Sequence, residues 1–286
     1  MLLEAITWTA DPVLFTWGPV QLRWYALMFI VGFMFGGWIM ERIYAREGLN
    51  PDRVASLFLW CFVGTLVGAR LGHCLFYDPD YYLANPIEIF KTWKGGLASH
   101  GGTIGVITCV WIYARRDKLP FLWVLDRLCI AVAPVAFLIR MGNLFNHEIY
   151  GHETTLPWGF RFIENVSSWS ERGADPIFTA PSHPTQLYEG LAYLLTFVIL
   201  VWLYRRTQAP RRTGMLFGLF LVCIFLSRFL IEFVKNDQEA FEADMLLNMG
   251  QLLSIPFILV GFWLMWRAGR VKNPSELKVK SNPTAQ

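Results

Sequence analysis

Three arginines, Arg70, Arg140 and Arg228, stand within or at the ends of long apolar stretches of the sequence. A charge at bilayer depth costs about 2.5–3.5 kcal/mol on insertion scales, so each needs a partner or a task. His73 follows Arg70 by three residues, Asn143 follows Arg140 by three and Glu232 follows Arg228 by four, offsets that share one face of a helix. His100 opens another apolar run. A guanidinium presents a planar fork of donors suited to phosphate or carboxylate, and an imidazole titrates near neutral pH and can act as a base. Any one Arg–Glu pair can simply neutralise itself, but three arginines without three evident acids leave positive charge over. The expected ligand is therefore an anion, and at that depth the abundant anion is a phospholipid headgroup.

The elements that must position these side chains follow from composition. Of 286 residues, 55% are hydrophobic and 16% charged, whereas soluble domains carry about 25% charged residues. That excludes an ordinary soluble domain, and the 13 Trp and 23 Phe exclude a disordered chain. The expected fold is all-α and polytopic in a membrane. A net charge of +3 with no run of five like charges argues against nucleic acid as a partner. The five cysteines all fall in apolar stretches without a CxxC pair and read as small buried hydrophobes. No basic residue precedes Arg23, so the start lacks the cationic end of a cleavable signal and the first span is expected to serve as an uncleaved one.

A bilayer core needs about 20 apolar residues per helix. Seven stretches satisfy this, near 24–41, 54–77, 97–114, 119–139, 187–204, 214–234 and 245–266. Lys and Arg cluster at 42–53, 115–118, 205–212 and 267–280, all on one side of seven alternating crossings, while Arg23, Lys91, Lys94, Arg161, Arg172 and Lys235 are spread over the other. The positive-inside rule then puts the N-terminus outside and the C-terminus in the cytoplasm. Residues 1–270 form the expected membrane domain, with an outer segment at about 140–186, and 271–286 a polar cytoplasmic tail. Gly32/Gly36, Gly64/Gly68/Gly72, Gly101/Gly105 and Gly214/Gly218 mark close helix packing, and Pro134 and Pro256 are expected to bend their helices.

With that orientation the polar residues fall at one depth. Arg70, His73, His100, Arg140, Asn143, Arg228 and Glu232 lie toward the outer ends of their spans, Gln186, Tyr188 and Glu189 open the fifth from the same side, and Tyr25 opens the first. Several spans thus converge on one outer-leaflet polar pocket. Asp126 and Arg127 lie at the inner end and read as a structural pair.

The run Ile139-Arg140-Met141-Gly142-Asn143-Leu144-Phe145-Asn146-His147-Glu148-Ile149-Tyr150-Gly151 resembles the signature of bacterial prolipoprotein diacylglyceryl transferases, G-R-x-G-N-F-x-N-x-E-x-x-G. Gly95-Gly96-Leu97 with His100-Gly101-Gly102 is similar to that family's GGL…HGG segment, and His183-Pro184-Thr185-Gln186-Leu187-Tyr188-Glu189 to its HP-[ST]-QLYE motif. Arg23-Trp24-Tyr25 and Gly68-Ala69-Arg70 also fit, while Ile139 and Leu144 depart from the signature's Gly and Phe. The resemblance implies a bacterial inner-membrane enzyme with seven spans and its N-terminus outside. Its reaction would move the diacylglyceryl group of phosphatidylglycerol to the lipobox cysteine of a prolipoprotein, releasing glycerol phosphate. His100 is then the candidate base, Arg140 and Arg228 the groups that stabilise the leaving phosphate, and Arg70 a headgroup contact. Asn143, Asn146, Glu148 and Gly151 line the substrate site, Glu232 holds Arg228, and Tyr25 offers a headgroup hydrogen bond.

No metal or other cofactor is expected, since His147 and His152 lack further ligands at sensible spacing. The rival from another class is an anion or anionic-lipid transporter or channel; its charges should continue across the membrane, whereas here they stop at outer-leaflet depth. An intramembrane serine protease is disfavoured because Ser99 and His100, adjacent on a helix, point about 100° apart.

Overall fold

Backbone amides in hydrocarbon must bond within their own segment, which makes every long apolar stretch a helix. The computed structural model describes residues 5–18, 20–92, 95–96, 98–236 and 245–270; the expected C-terminal tail and Leu97 lie outside these. The long helices are α1 (Trp24–Arg46), α2 (Arg53–Phe76), α4 (Ser99–Arg116), α5 (Phe121–Phe145), α7 (Thr185–Arg206), α8 (Met215–Ile231) and α9 (Met249–Gly269). Short helices α3 (Pro79–Ala84) and α6 (Val166–Arg172) lie between them, with strands β1 (Ile6–Thr7), β2 (Val13–Trp17), β3 (Val20–Arg23) and β4 (Phe160–Arg161). Six helices are long and apolar enough to cross a membrane; α4, with 18 residues and three glycines near its start, is not among them. Pro134 and Pro256 sit inside α5 and α9, each of which continues through its proline.

The described residues divide into two compact units, one running up to Gly36 and again from Leu128 onward, the other Gly37–Arg127. In the second, α2 and α4 pack backbone to backbone. A Cβ on Gly64 would lie 2.6 Å from the Gly105 carbonyl oxygen, and one on Gly72 2.7 Å from Gly101 Cα, so only glycine permits this approach. In the same unit Arg127 donates from Nε and Nη2 to the two carboxylate oxygens of Glu47, at 3.0 and 3.1 Å, with Asp126 at 3.8 Å. The expected Asp126–Arg127 pair is thus one part of a larger structural ion cluster.

In the first unit, Gly32 and Gly36 receive Val135 of α5. Gly218 of α8 faces Gly261 of α9, where an added Cβ would come within 2.8 Å of the facing carbonyl. Gly214 has a different job from the packing expected of it: it sits at the N-cap of α8 with φ +95°, a conformation glycine adopts without strain. Asn248 caps α9 in a reciprocal box with Gln251, at 2.9 and 3.1 Å. The segment after α5 folds against the N-terminal strands. β1 pairs in parallel with β4, β2 and β3 form an antiparallel hairpin, and Trp8, Met141, Tyr150 and Leu187 pack on Leu144, Phe160 and Phe162. All five cysteines are free; Cys74 and Cys129 are buried, as expected, whereas Cys61, Cys109 and Cys223 are half-buried.

Candidate active site

The signature run ends α5 in an unusual turn. His147 (φ +55°) and Ile149 (φ +61°) both take left-handed backbone conformations, which is uncommon for any non-glycine and strained for a β-branched residue, at about 1–3 kcal/mol each. The turn persists because its neighbours fix it. Thr185 Oγ1 donates to the Ile149 carbonyl at 2.7 Å and Gln186 Nε2 to the Glu148 carbonyl at 2.6 Å. His147 accepts from the Ile163 amide at 3.1 Å through Nδ1 and reaches the Ala10 carbonyl at 2.9 Å through Nε2. The HPTQ residues therefore clamp the signature loop.

That turn brings Glu148 back over the helix it follows. Glu148 Oε1 accepts from Asn143 Nδ2 at 2.8 Å and from Asn146 Nδ2 at 3.1 Å, and Asn143 Oδ1 accepts from Arg140 Nη1 at 3.2 Å. Asn143 thus relays between a carboxylate and a guanidinium, which settles its amide orientation. Tyr25 packs its ring against Gly142, where an added Cβ would come within 2.8 Å of Cδ2.

Beneath this row lies a buried ionic cluster. Arg140 Nε pairs with Glu189 Oε2. The other oxygen of Glu189 lies 3.5 Å from Lys235 Nζ, which is 3.4 Å from Glu232 Oε2. Glu189 is 0% exposed and Lys235 2%. Tyr193, also buried, lies within electrostatic reach of Arg140, Glu189 and Arg228. Arg228 is half-buried on α8 and has no hydrogen bond or ion pair to its guanidinium among the described residues.

Three expectations change here. Arg140 is not unmatched, because Glu189 comes to it from a separate helix. Glu232 does not hold Arg228: α8 tightens into a 3-10 turn at Glu232–Val234, and the carboxylate pairs with Lys235 and rests on Gly250, in the first turn of α9, where the helix dipole favours an anion. Gly151 serves backbone packing, bridging antiparallel to Lys235 and leaving no room for a Cβ beside the Val234 carbonyl and Thr185.

The second unit holds the remaining expected residues. Arg70, 4% exposed, gives its donors to backbone: Nε to the Ile89 carbonyl at 2.8 Å, Nη1 to Gly95 and Gly96 at 2.6 and 3.1 Å, and Nη2 to Glu88 and Lys91 at 2.6 and 3.4 Å. A guanidinium has five N–H donors, so these five carbonyls occupy Arg70 as the organiser of Glu88–Lys91 and Gly95–Gly96, in place of the expected headgroup contact. Gly96, at φ +75°, abuts His73 and Arg70 with no space for a side chain. His73 stacks on Tyr77 at 5.5 Å and Tyr77 on His100 at 5.9 Å, with the Tyr77 hydroxyl 3.2 Å from His100 Nε2. His100 itself is exposed.

Residues 12–267, spanning both units, match the family described as Prolipoprotein diacylglyceryl transferase. A phosphatidylglycerol–prolipoprotein diacylglyceryl transferase of Porphyromonas gingivalis is 53% identical over 96% of this chain and 98% of its own. Those of Tolumonas auensis and Bacteroides fragilis are 45% and 38% identical, over 93% and 95% of this chain and 98% of each relative. The chain belongs to this family.

As a prolipoprotein diacylglyceryl transferase it is an enzyme, and the transporter alternative lapses. The transferase also has residues that the motifs did not single out for a role. Glu189 ends the HPTQLYE motif, so its burial opposite Arg140 was within reach of the sequence. Lys235 was signalled only by the Arg228, Glu232, Lys235 alternation of charge at the end of a span, and Tyr193 by nothing.

Proposed function

We propose that the protein transfers the diacylglyceryl group of phosphatidylglycerol to the lipobox cysteine of a prolipoprotein, forming a thioether and releasing glycerol phosphate. The thiol gives up its proton, the sulfur attacks the glyceryl carbon next to the phosphodiester, and that C–O bond breaks with its electrons passing to the phosphate. The phosphate goes from one negative charge toward two, so guanidiniums placed in advance favour the transition state over the bound lipid. The observation that carries this reading is the pair Arg140 and Arg228 about Tyr193, the first anchored along its Nε edge and the second without a partner among the described residues.

A free thiol has a pKa near 8.5 and reacts as thiolate, so a base speeds attack. His100 is that base, exposed and placed by stacking on Tyr77. Asn143, Asn146 and Glu148 form a hydrogen-bonded row beside Arg140 that suits the hydroxyls of the glycerol headgroup, with Tyr25 near its end. Arg70 holds the backbone of Glu88–Lys91 and of Gly95–Gly96, which precede His100 in the chain.

In this reading α4 is a seventh span of about 27 Å, the N-terminus is outside, and the site faces the outer leaflet of the bacterial inner membrane. Guanidiniums stacked on Trp38, Trp111 and Trp266, from Arg42, Arg115 and Arg270, suit the opposite, headgroup-level interface. Incubating the purified protein with phosphatidylglycerol and a lipobox cysteine peptide tests the function. The peptide should gain the mass of one diacylglyceryl group with release of glycerol phosphate; an unchanged peptide refutes the reading.

A further inference from the structure

Lys235 is unusual in being fully enclosed: an ammonium loses strong hydration on burial and is retained only where carboxylates compensate it. Two do so here. Glu232 lies three residues earlier, at the 3-10 turn that ends α8, and Glu189 comes from the first turns of α7. The backbone fixes Lys235 as well, since its amide donates to the Glu232 carbonyl at 3.3 Å and it bridges to Gly151 of the signature loop. Position and charge are both set by the elements that build the site.

We infer that Lys235 is a positioning residue whose ammonium offsets Glu189 and Glu232, so that these two carboxylates do not cancel the charge of Arg140 and Arg228. Glu189 divides its two oxygens between Arg140 Nε and Lys235 Nζ. Among the described residues Arg140, Arg228 and Lys235 stand with two enclosed carboxylates, Glu189 and Glu232, so one positive charge is left for an anionic ligand. Without the ammonium none is left. Glu148, the remaining acid of the row, is exposed and screened by water. In a poorly solvated site a single unit of charge weighs heavily on a phosphate that gains charge as it leaves. Lys235 acts on the reaction through Glu189 and Glu232 and needs no contact with the substrate. The inference rests on the proposed diacylglyceryl transfer, and a wild-type protein that transfers nothing would refute that reading, not this one.

The experiment measures transfer from phosphatidylglycerol vesicles to a lipobox cysteine peptide by the reconstituted full chain. Lys235→Met should lower kcat by about tenfold or more, a barrier increase of about 1.4 kcal/mol, and Lys235→Arg should keep most of the rate. The deciding variant is Lys235→Met with Glu232→Gln, which removes one charge of each sign and should recover most of the loss. Lys235→Met with Glu189→Gln also balances charge but frees Arg140, and should stay slow. If Lys235 only filled space, Glu232→Gln would restore nothing. A wild-type rate in Lys235→Met overturns the inference. So does a Lys235→Met/Glu232→Gln protein that unfolds at the wild-type temperature yet stays as slow as Lys235→Met. Where Lys235→Met does not fold, the charge-balanced double variant decides alone: near-wild-type transfer supports the inference and a folded, slow protein overturns it.

Discussion

Glu189 binds Arg140 along the Nε edge of the guanidinium, while Asn143 takes one terminal nitrogen at 3.2 Å. Held on two sides, the planar group loses the rotamer freedom that a long side chain otherwise spends on binding. Glu189→Gln keeps the shape but not the charge. Breaking one half of a buried pair costs about 3–5 kcal/mol, and Lys235 loses the same carboxylate, so this variant should fold with a lowered thermal midpoint and transfer at least about tenfold more slowly. Arg140→Lys should not substitute for Arg140, because an ammonium cannot bind Glu189 and Asn143 in one plane. Rate and melting measurements on both variants check this.

Arg70 makes a different kind of prediction. Its five bonds reach carbonyls of Glu88, Ile89, Lys91, Gly95 and Gly96, so its loss should be felt first in that stretch. Arg70→Lys retains charge but has three donors for five acceptors. Amide hydrogen exchange at residues 86–92 should rise by about tenfold or more in this variant, with α2 itself unchanged. Protection equal to wild type would return Arg70 to the list of possible ligand contacts.

His147 gives the protein a dependence on pH. Burial pushes its pKa below the usual 6.5, against the Ala10 carbonyl and Asp11, which pull it up. The Ile163 amide needs an unprotonated Nδ1, so the folded state favours the neutral ring. A base whose folded pKa is depressed adds full stability above the unfolded value and loses it as pH falls through about 6.5 toward the folded one. The thermal midpoint should therefore fall between pH 7.5 and 5.5. His183, also lowered by burial and by nearby His152, acts in the same direction. His147→Asn, which tolerates the left-handed conformation and can still accept from Ile163, should have a flatter profile; an equally steep one would assign the effect elsewhere.

Much of this was legible in the sequence, and the gaps have identifiable causes. Apolar length alone located the long helices, because hydrocarbon leaves the backbone no alternative, though it ended α1 at 41 and α5 at 139 where they run to Arg46 and Phe145. The signature run and the HPTQLYE motif were visible, but their relationship was not: Thr185 and Gln186 hold the turn around Glu148 by bonds to backbone, and side-chain spacing carries no record of a carbonyl acceptor. The same blindness made Arg70 look available. Arg228 and Glu232 failed differently. An i, i+4 pair presumes that the α-helix continues, and the 3-10 turn at Glu232 redirects the carboxylate to Lys235.

Arg228 bears most directly on the central claim, that a partly enclosed guanidinium is kept for the phosphate of the lipid. Since it stabilises no partner among the described residues, removing it should cost activity without costing the fold. The measurement is the rate of diacylglyceryl transfer by Arg228→Gln in phosphatidylglycerol vesicles, taken beside its thermal midpoint. The account predicts a fall of about a hundredfold or more at an unchanged midpoint, with Arg228→Lys recovering only part. A wild-type rate in Arg228→Gln, or a loss matched by unfolding, would contradict it.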